Sequence, residues 1–176
     1  MLKYIFSLVL MIFVVGCSTL KVYNDYDENF DFSKAKTYII RHNVKPGENT
    51  LLNERITLAL ESVFDKKGYK KADTSEEDLM FVYHYNVRDK VDIQTDYQMV
   101  GVRRYRFSGT MMATTTAYEY KEGTIIVDAL DKKSGRIVWR SIGVLEVQEK
   151  DTPQERKEYV FKIINELMKK FPSRVK

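Results

Sequence analysis

The sequence predicts an α+β fold, a two-layer sandwich whose mostly antiparallel sheet carries two helices on one face. Three observations predict it. Two stretches, near residues 50–67 and 153–171, combine an apolar stripe at helical spacing with punctuation at both ends. Short alternating or continuous apolar runs lie before and between them. The resulting order, strand–strand–helix–strands–helix with hairpin chemistry between neighbouring strands, is that of α+β domains.

In chain order, the first sixteen residues stand apart. Lys3 gives a short positive start, and Tyr4 to Val15 then run apolar except for Ser7. That run is too short to cross a bilayer core, which takes roughly 20 helical residues. It has the length and flanks of a secretory signal. It ends in Val14-Val15-Gly16-Cys17, which resembles the lipobox of bacterial lipoproteins. The chemistry explains the residue types. Small Gly16 admits a peptidase to the backbone, and a cysteine thiolate is the nucleophile that can take a lipid. The resemblance implies cleavage before Cys17, a diacylglyceryl thioether and an acylated amine, such as a palmitoyl amide. An ordinary cleaved signal with Cys17 as bystander, or an uncleaved helical anchor, are the alternatives. The expected organisation is a signal peptide over 1–16, a lipidated tether over 17–20 and a single domain over 21–176.

Ser18 follows the cysteine. Lipoproteins kept in the inner membrane of double-membraned bacteria often carry aspartate there, so outer-membrane residence facing the periplasm is expected. Cys17 is the only cysteine, and a disulfide has no second partner. Residues 1–16 carry Lys3 and no acid, so removing them takes the formal charge from +4 to +3. That balance is too mild to point to nucleic acid.

The mature chain opens with two short strands, Val22 to Tyr26 and Lys36 to Ile40. The first helix starts at Asn49 or Thr50, both good N-caps. Leu52, Ile56, Ala59, Leu60, Val63 and Phe64 form its stripe. Lys66 and Lys67 suit its negative end, and Gly68 supplies the left-handed stop. From Leu79 to Val87 the pattern alternates as a half-buried strand does. Gly123 to Leu130 is apolar on both faces, as a central strand is. Asp131 to Gly135 is turn chemistry, and Arg136 to Arg140 returns as the second strand of a hairpin, with Trp139 expected in the core. Ser141 to Val147 either extends that strand or adds another. Thr152-Pro153-Gln154-Glu155 reads as a capping box with proline at the first helical position. Val160, Ile163, Ile164, Leu167, Met168 and Phe171 make the second stripe, which Pro172 ends. The stretch from Arg88 to Tyr120 reads equally as a long hairpin, a pair of edge strands or a loop.

These blocks, in this order, resemble the bacterial lipoproteins carrying domain of unknown function 4136. The residues that carry the resemblance are Asp25-Tyr26-Asp27, Asp31-Phe32-Ser33, Lys36-Thr37-Tyr38, Asn53-Glu54-Arg55-Ile56, Lys67-Gly68-Tyr69 and Asp78-Leu79. Most specific is Glu122-Gly123-Thr124-Ile125-Ile126-Val127-Asp128, continuing through Asp131, Ser134-Gly135 and Ile137-Val138-Trp139-Arg140. The resemblance implies a two-layer α/β sandwich and an envelope lipoprotein. It implies no reaction and no catalytic residues. Ser141 departs from the glycine frequent there.

Candidate chemistry is sparse. His42 and His84 are the only histidines, and neither belongs to an HxH, HExxH or CxxC pattern. Each reads better as a solvated or hydrogen-bonded side chain than as a metal ligand. Asp128 and Asp131 suggest paired carboxylates, but three residues apart on a strand they point to opposite faces. Asp131 reads as a turn residue, and Asp128 as a cross-strand ion pair with Arg140. Thr114-Thr115-Thr116 and Ser108-Gly109 lack the Gly-x-Ser-x-Gly frame of a nucleophile elbow. No catalytic, cofactor or metal site is therefore expected. The one candidate interaction surface is Arg103, Arg104, Tyr105, Arg106 and Phe107, where cations interleave with aromatics, as at binding hot spots. A charged edge strand is the plainer reading of the same residues. The expected role is a non-catalytic envelope lipoprotein that binds an envelope protein, a glycan or an anionic lipid. The alternative is a hydrolase or transferase acting on envelope material.

Overall fold

The structure is a computed structural model, and it describes residues 20–44, 46–73, 77–100 and 110–175. The strands are β1 (Lys21–Tyr26), β2 (Thr37–Arg41), β3 (Lys70–Lys71), β4 (Leu79–Val100), β5 (Thr110–Asp131) and β6 (Ile137–Glu146). The helices are α1 (Thr50–Lys66) and α2 (Pro153–Leu167). One sheet holds all six strands in the order β1-β6-β5-β4-β2-β3.

The expected α+β class holds, but the sheet is mixed. β1, β6, β5 and β4 are antiparallel neighbours, whereas β4 pairs in parallel with β2, and β2 with β3. The physical reason lies in α1. A strand reached through a helical crossover re-enters the sheet in the direction of the strand it left. Leu79 of β4 therefore sits beside Tyr38 of β2 with the same sense. β3 is too short to show in an apolar pattern.

Both helices are built as their ends dictate. The Asn49 side chain accepts from the Leu52 N–H, and Gly68 follows α1 at φ 82°. In α2 the Thr152 and Glu155 side chains close a reciprocal capping box. The helix ends at Leu167, earlier than the apolar stripe suggests, and Met168 and Phe171 stay buried in the turns that follow. The residues on the helix side of the sheet are odd-numbered in β4, β5 and β6 and even-numbered in β1 and β2, such as Tyr38 and Tyr26. Phe64 of α1 stacks on Phe81 at 3.9 Å, and the Ser141 hydroxyl donates to the Leu167 carbonyl at 2.8 Å. Trp139 is 3% exposed, packed edge-on to Phe171 at 5.3 Å and stacked on Tyr26. The even-numbered face carries the Asp128–Arg140 pair, a bidentate bridge with both contacts at 2.7 Å.

The parallel junction has its own clamp. The Asp78 carboxylate accepts the Lys36 N–H at 2.7 Å, the Thr37 N–H at 3.1 Å and the Thr37 hydroxyl at 3.2 Å. Partial burial raises its pKa, but these donors outweigh that and hold it below the usual carboxylate value. The folded pKa is thus depressed. The stabilisation is present above the unfolded value, near 4, and is lost as pH falls through the folded value. Asp78→Ala is expected to cost about 2 kcal/mol in urea unfolding at pH 7. The deficit should shrink as the pH is lowered below about 4. An equal deficit at pH 7 and pH 3 would contradict this account of the clamp.

Candidate functional site

β4 and β5 are each 22 residues long, far longer than their neighbours. β6 leaves β5 at Glu122↔Glu146, and β2 leaves β4 at Val82↔Arg41. The Val147 N–H still reaches the Lys121 carbonyl at 2.8 Å. Beyond that point the two strands pair only with each other, from Lys90↔Tyr120 to Val100↔Thr110. Residues 88–100 and 110–120 of the ambiguous stretch therefore form a two-stranded arm. Asn86 to Val100 spans about 48 Å at roughly 3.4 Å per residue.

Along the arm the odd positions carry Val87, Asp89, Val91, Ile93 and Thr95 on one strand and Thr115, Ala117, Glu119 and Lys121 on the other. The even positions carry Arg88, Lys90, Asp92, Gln94, Asp96 and Tyr118. The odd face continues the core face of the sheet past the end of the helices. Val91 is 59% exposed and Ile93 66%. The candidate residues Arg103, Arg104, Tyr105, Arg106 and Phe107 lie outside the described residues, as does Cys17.

At the root of the arm, residues of α1, α2 and the sheet line an apolar cleft of about 230 Å³. Leu52, Ile56, Ile125, Leu145, Val160 and Ile164 supply its apolar wall. Gly123 lies in its floor, where a Cβ would come within 2.9 Å of Val147. Arg55, Lys150 and Arg156 also line it, and among the described residues no carboxylate, histidine, serine or cysteine does. The Arg156 guanidinium is braced by donating to the Lys150 and Asp151 carbonyls at 2.8 and 3.1 Å. Tyr85 also lines the cleft. Its hydroxyl is buried with no hydrogen bond of good geometry. Burial pushes its pKa up, the negative Glu48 adds to that, and the Asn49 backbone opposes it. Chemically, the cleft can take an apolar group beneath a cationic rim. Sequence reading missed Arg55, Lys150 and Arg156, which look like ordinary solvated cations on or before a helix.

The cleft and the arm share one end of the sheet with the start of β1. Lys21, Val144, Thr124 and Asn86 form one row across the strands. β1 runs antiparallel to β4, so the chain enters β1 from the end of the sheet at which β4 runs on into the arm. Leu20 already lies against this end, 3.2 Å from where a Cβ on Gly143 would stand.

The remaining candidates have structural employment. His42 stacks on Tyr83 at 4.3 Å, with Nδ1 3.1 Å from the Tyr83 carbonyl and Nε2 3.0 Å from Glu48. His84 is exposed on the other face. Asp131 accepts from the Ser134 N–H at 2.9 Å, and Gly135 closes that turn at φ 67°. Among the described residues no cluster of three metal-ligating side chains occurs, and no helix is long and apolar enough to cross a membrane.

A mixed six-stranded sheet with two helices and a long arm defines an α+β domain. The sequence matches the family of domain of unknown function 4136 (DUF4136) over residues 22–173, and the chain belongs to that family. No curated protein matches it. Among solved structures, it is similar to a PDZ domain protein from Parabacteroides distasonis. The TM-score is 0.56 with 17% identity, over 88% of this chain and 37% of that longer one. It is also similar to a PelC dodecamer from Paraburkholderia phytofirmans, with TM-score 0.51 and 8% identity, over 88% and 98% of the two chains. At such identities the likeness is one of fold.

Proposed function

We propose that this protein is a lipid-anchored envelope lipoprotein that acts by binding, through the end of the sheet from which its tether leaves. Its helices and sheet serve as the two layers of a rigid support for that end. The observation that carries the reading is the coincidence of three features there: the start of β1, the arm, and an apolar cleft lined by cations with no acid-base or nucleophilic set. From Lys21 back to Cys17 is four residues, which reach at most about 14 Å. Lipid on Cys17 would hold this end close to a bilayer, where several acyl chains anchor stably. The arm is about three times longer than the tether, so whatever neighbours the protein on that surface meets the arm first. Ser18 favours the outer membrane, with the domain facing the periplasm. A component with an apolar group and negative charge suits the cleft, and arginines can grip carboxylate or phosphate bidentately.

The test is a crosslinking pull-down from intact cells with wild type and the triple variant Arg103→Ala, Arg104→Ala, Arg106→Ala. The variant should fold, since surface changes of this kind cost within about 0.5 kcal/mol each, and should recover much less of the captured component. Equal recovery would place the contact elsewhere on the molecule. Hydrolysis of envelope material by purified wild type would replace binding with catalysis.

A further inference from the structure

The arm leaves unsatisfied what sheet chemistry normally satisfies. Among the described residues, the edge of β4 away from β5 has no strand beside it from Tyr85 outward, because β2 ends at Arg41, opposite Val82. An isolated two-stranded ribbon is marginal in water, and a long open edge is a template for another strand. The other described strands are already placed in the sheet. We propose that the β4 edge pairs with the β4 edge of a second copy, antiparallel about a two-fold axis at Ile93.

The residues choose the register. Directly opposed residues in an antiparallel pair lie on the same face, so odd must face odd if the apolar face is to continue across the junction. A one-residue slip would set Val91 and Ile93 among charges. Among the registers that keep parity, a two-fold at Asp92 places Asp92 against itself, and one at Gln94 places Asp92 against Asp96. Like charges directly opposed are destabilising. A two-fold at Val91 opposes Lys90 to Asp92 but sets Asp89 against Ile93 and draws the pairing in toward Tyr85, where the start of α1 flanks the strand. A two-fold at Thr95 forms no ion pair. With the axis at Ile93, Lys90 of each copy opposes Asp96 of the other. Val91 opposes Thr95, Asp92 opposes Gln94, and Ile93 meets Ile93. Lys90 sits 3.6 Å from Glu122 of its own arm, so the pairing places it between two acids. Such an interface is isologous and closes at two copies along the β4 edge, with the β5 edge of each arm outermost.

The test uses the full-length protein in intact cells. Directly opposed residues bring Cα atoms to about 4.5–5.5 Å, within disulfide reach. Ile93→Cys should therefore crosslink to itself under mild oxidation, with wild type showing whether Cys17 gives any background. Val91→Cys and Thr95→Cys should crosslink poorly alone, because each lies about 14 Å from its own copy at the strand rise. Co-expressed, they should give the mixed dimer. In size analysis of the purified lipoprotein in detergent, Lys90→Asp should shift dimer to monomer. Lys90→Asp with Asp96→Lys should restore the dimer, which a merely misfolded variant would not do. Equal crosslinking at positions 91, 93 and 95, or failure of the charge swap to rescue, would overturn the pairing. So would Ile93→Cys that is monomeric yet shielded from an aqueous thiol reagent by phosphatidylglycerol vesicles, since that assigns the face to a bilayer.

Discussion

Phe64→Ala is expected to destabilise the fold by about 3–5 kcal/mol, the range for deleting a buried phenylalanine. Phe64 has no exposed surface. It is the place where α1 meets both the sheet and the end of α2, stacked on Phe81 at 3.9 Å and edge-on to Tyr38 at 4.9 Å and Phe171 at 5.8 Å. Neighbouring rings on three sides cannot all move into the space left behind, so the cavity term adds to the lost burial. Domain stabilities are commonly only about 5–15 kcal/mol, so the variant should unfold at a fraction of the wild-type urea concentration. Leu58→Ala, on the exposed side of the same helix, should change the midpoint far less. A loss below about 1 kcal/mol at Phe64 would mean that the rings do not form the centre of the core.

Cys17→Ala should have the other large effect, this time on location. If the thiol is the lipid acceptor, the variant incorporates no labelled palmitate, keeps its leader and leaves the outer-membrane fractions of a density gradient. Wild type takes up label and floats with outer-membrane markers. Wild type that takes up no label, beside a variant matured normally, would remove the anchor. Recovery of labelled wild type with inner-membrane markers would keep the anchor and refute the sorting read from Ser18.

Much of the fold was legible because local chemistry and burial agree there. Asn49, Gly68 and the Thr152–Glu155 box act as their residue types suggest. The Asp128–Arg140 bridge follows from the hairpin that Asp131 to Gly135 announces. Strand direction was not legible. Nothing in the pattern of Thr37 to Arg41 distinguishes a strand paired through a hairpin from one paired across a helix, so the parallel half of the sheet came only with the structure. The arm was ambiguous for a related reason. Its alternation of Val91 and Ile93 with Lys90, Asp92 and Gln94 is that of a strand, but no core rewards it, and pattern alone cannot say what covers the odd face. The cleft was the least legible feature. Arg55, Gly123, Leu145 and Arg156 come from four separate elements or connections, and only the row joining Lys21, Val144, Thr124 and Asn86 reveals that they share an end with the start of β1.

That shared end is the central claim, and site-specific photo-crosslinking in intact cells tests it most directly. A photoreactive amino acid replaces Tyr118 on the arm, Tyr159 at the cleft, or Ile137 at the opposite end of the sheet, each in otherwise unchanged protein. Adducts with an envelope component other than the chain itself are expected from Tyr118 and Tyr159, and none from Ile137. Adducts from Ile137 with none from the other two would contradict that claim.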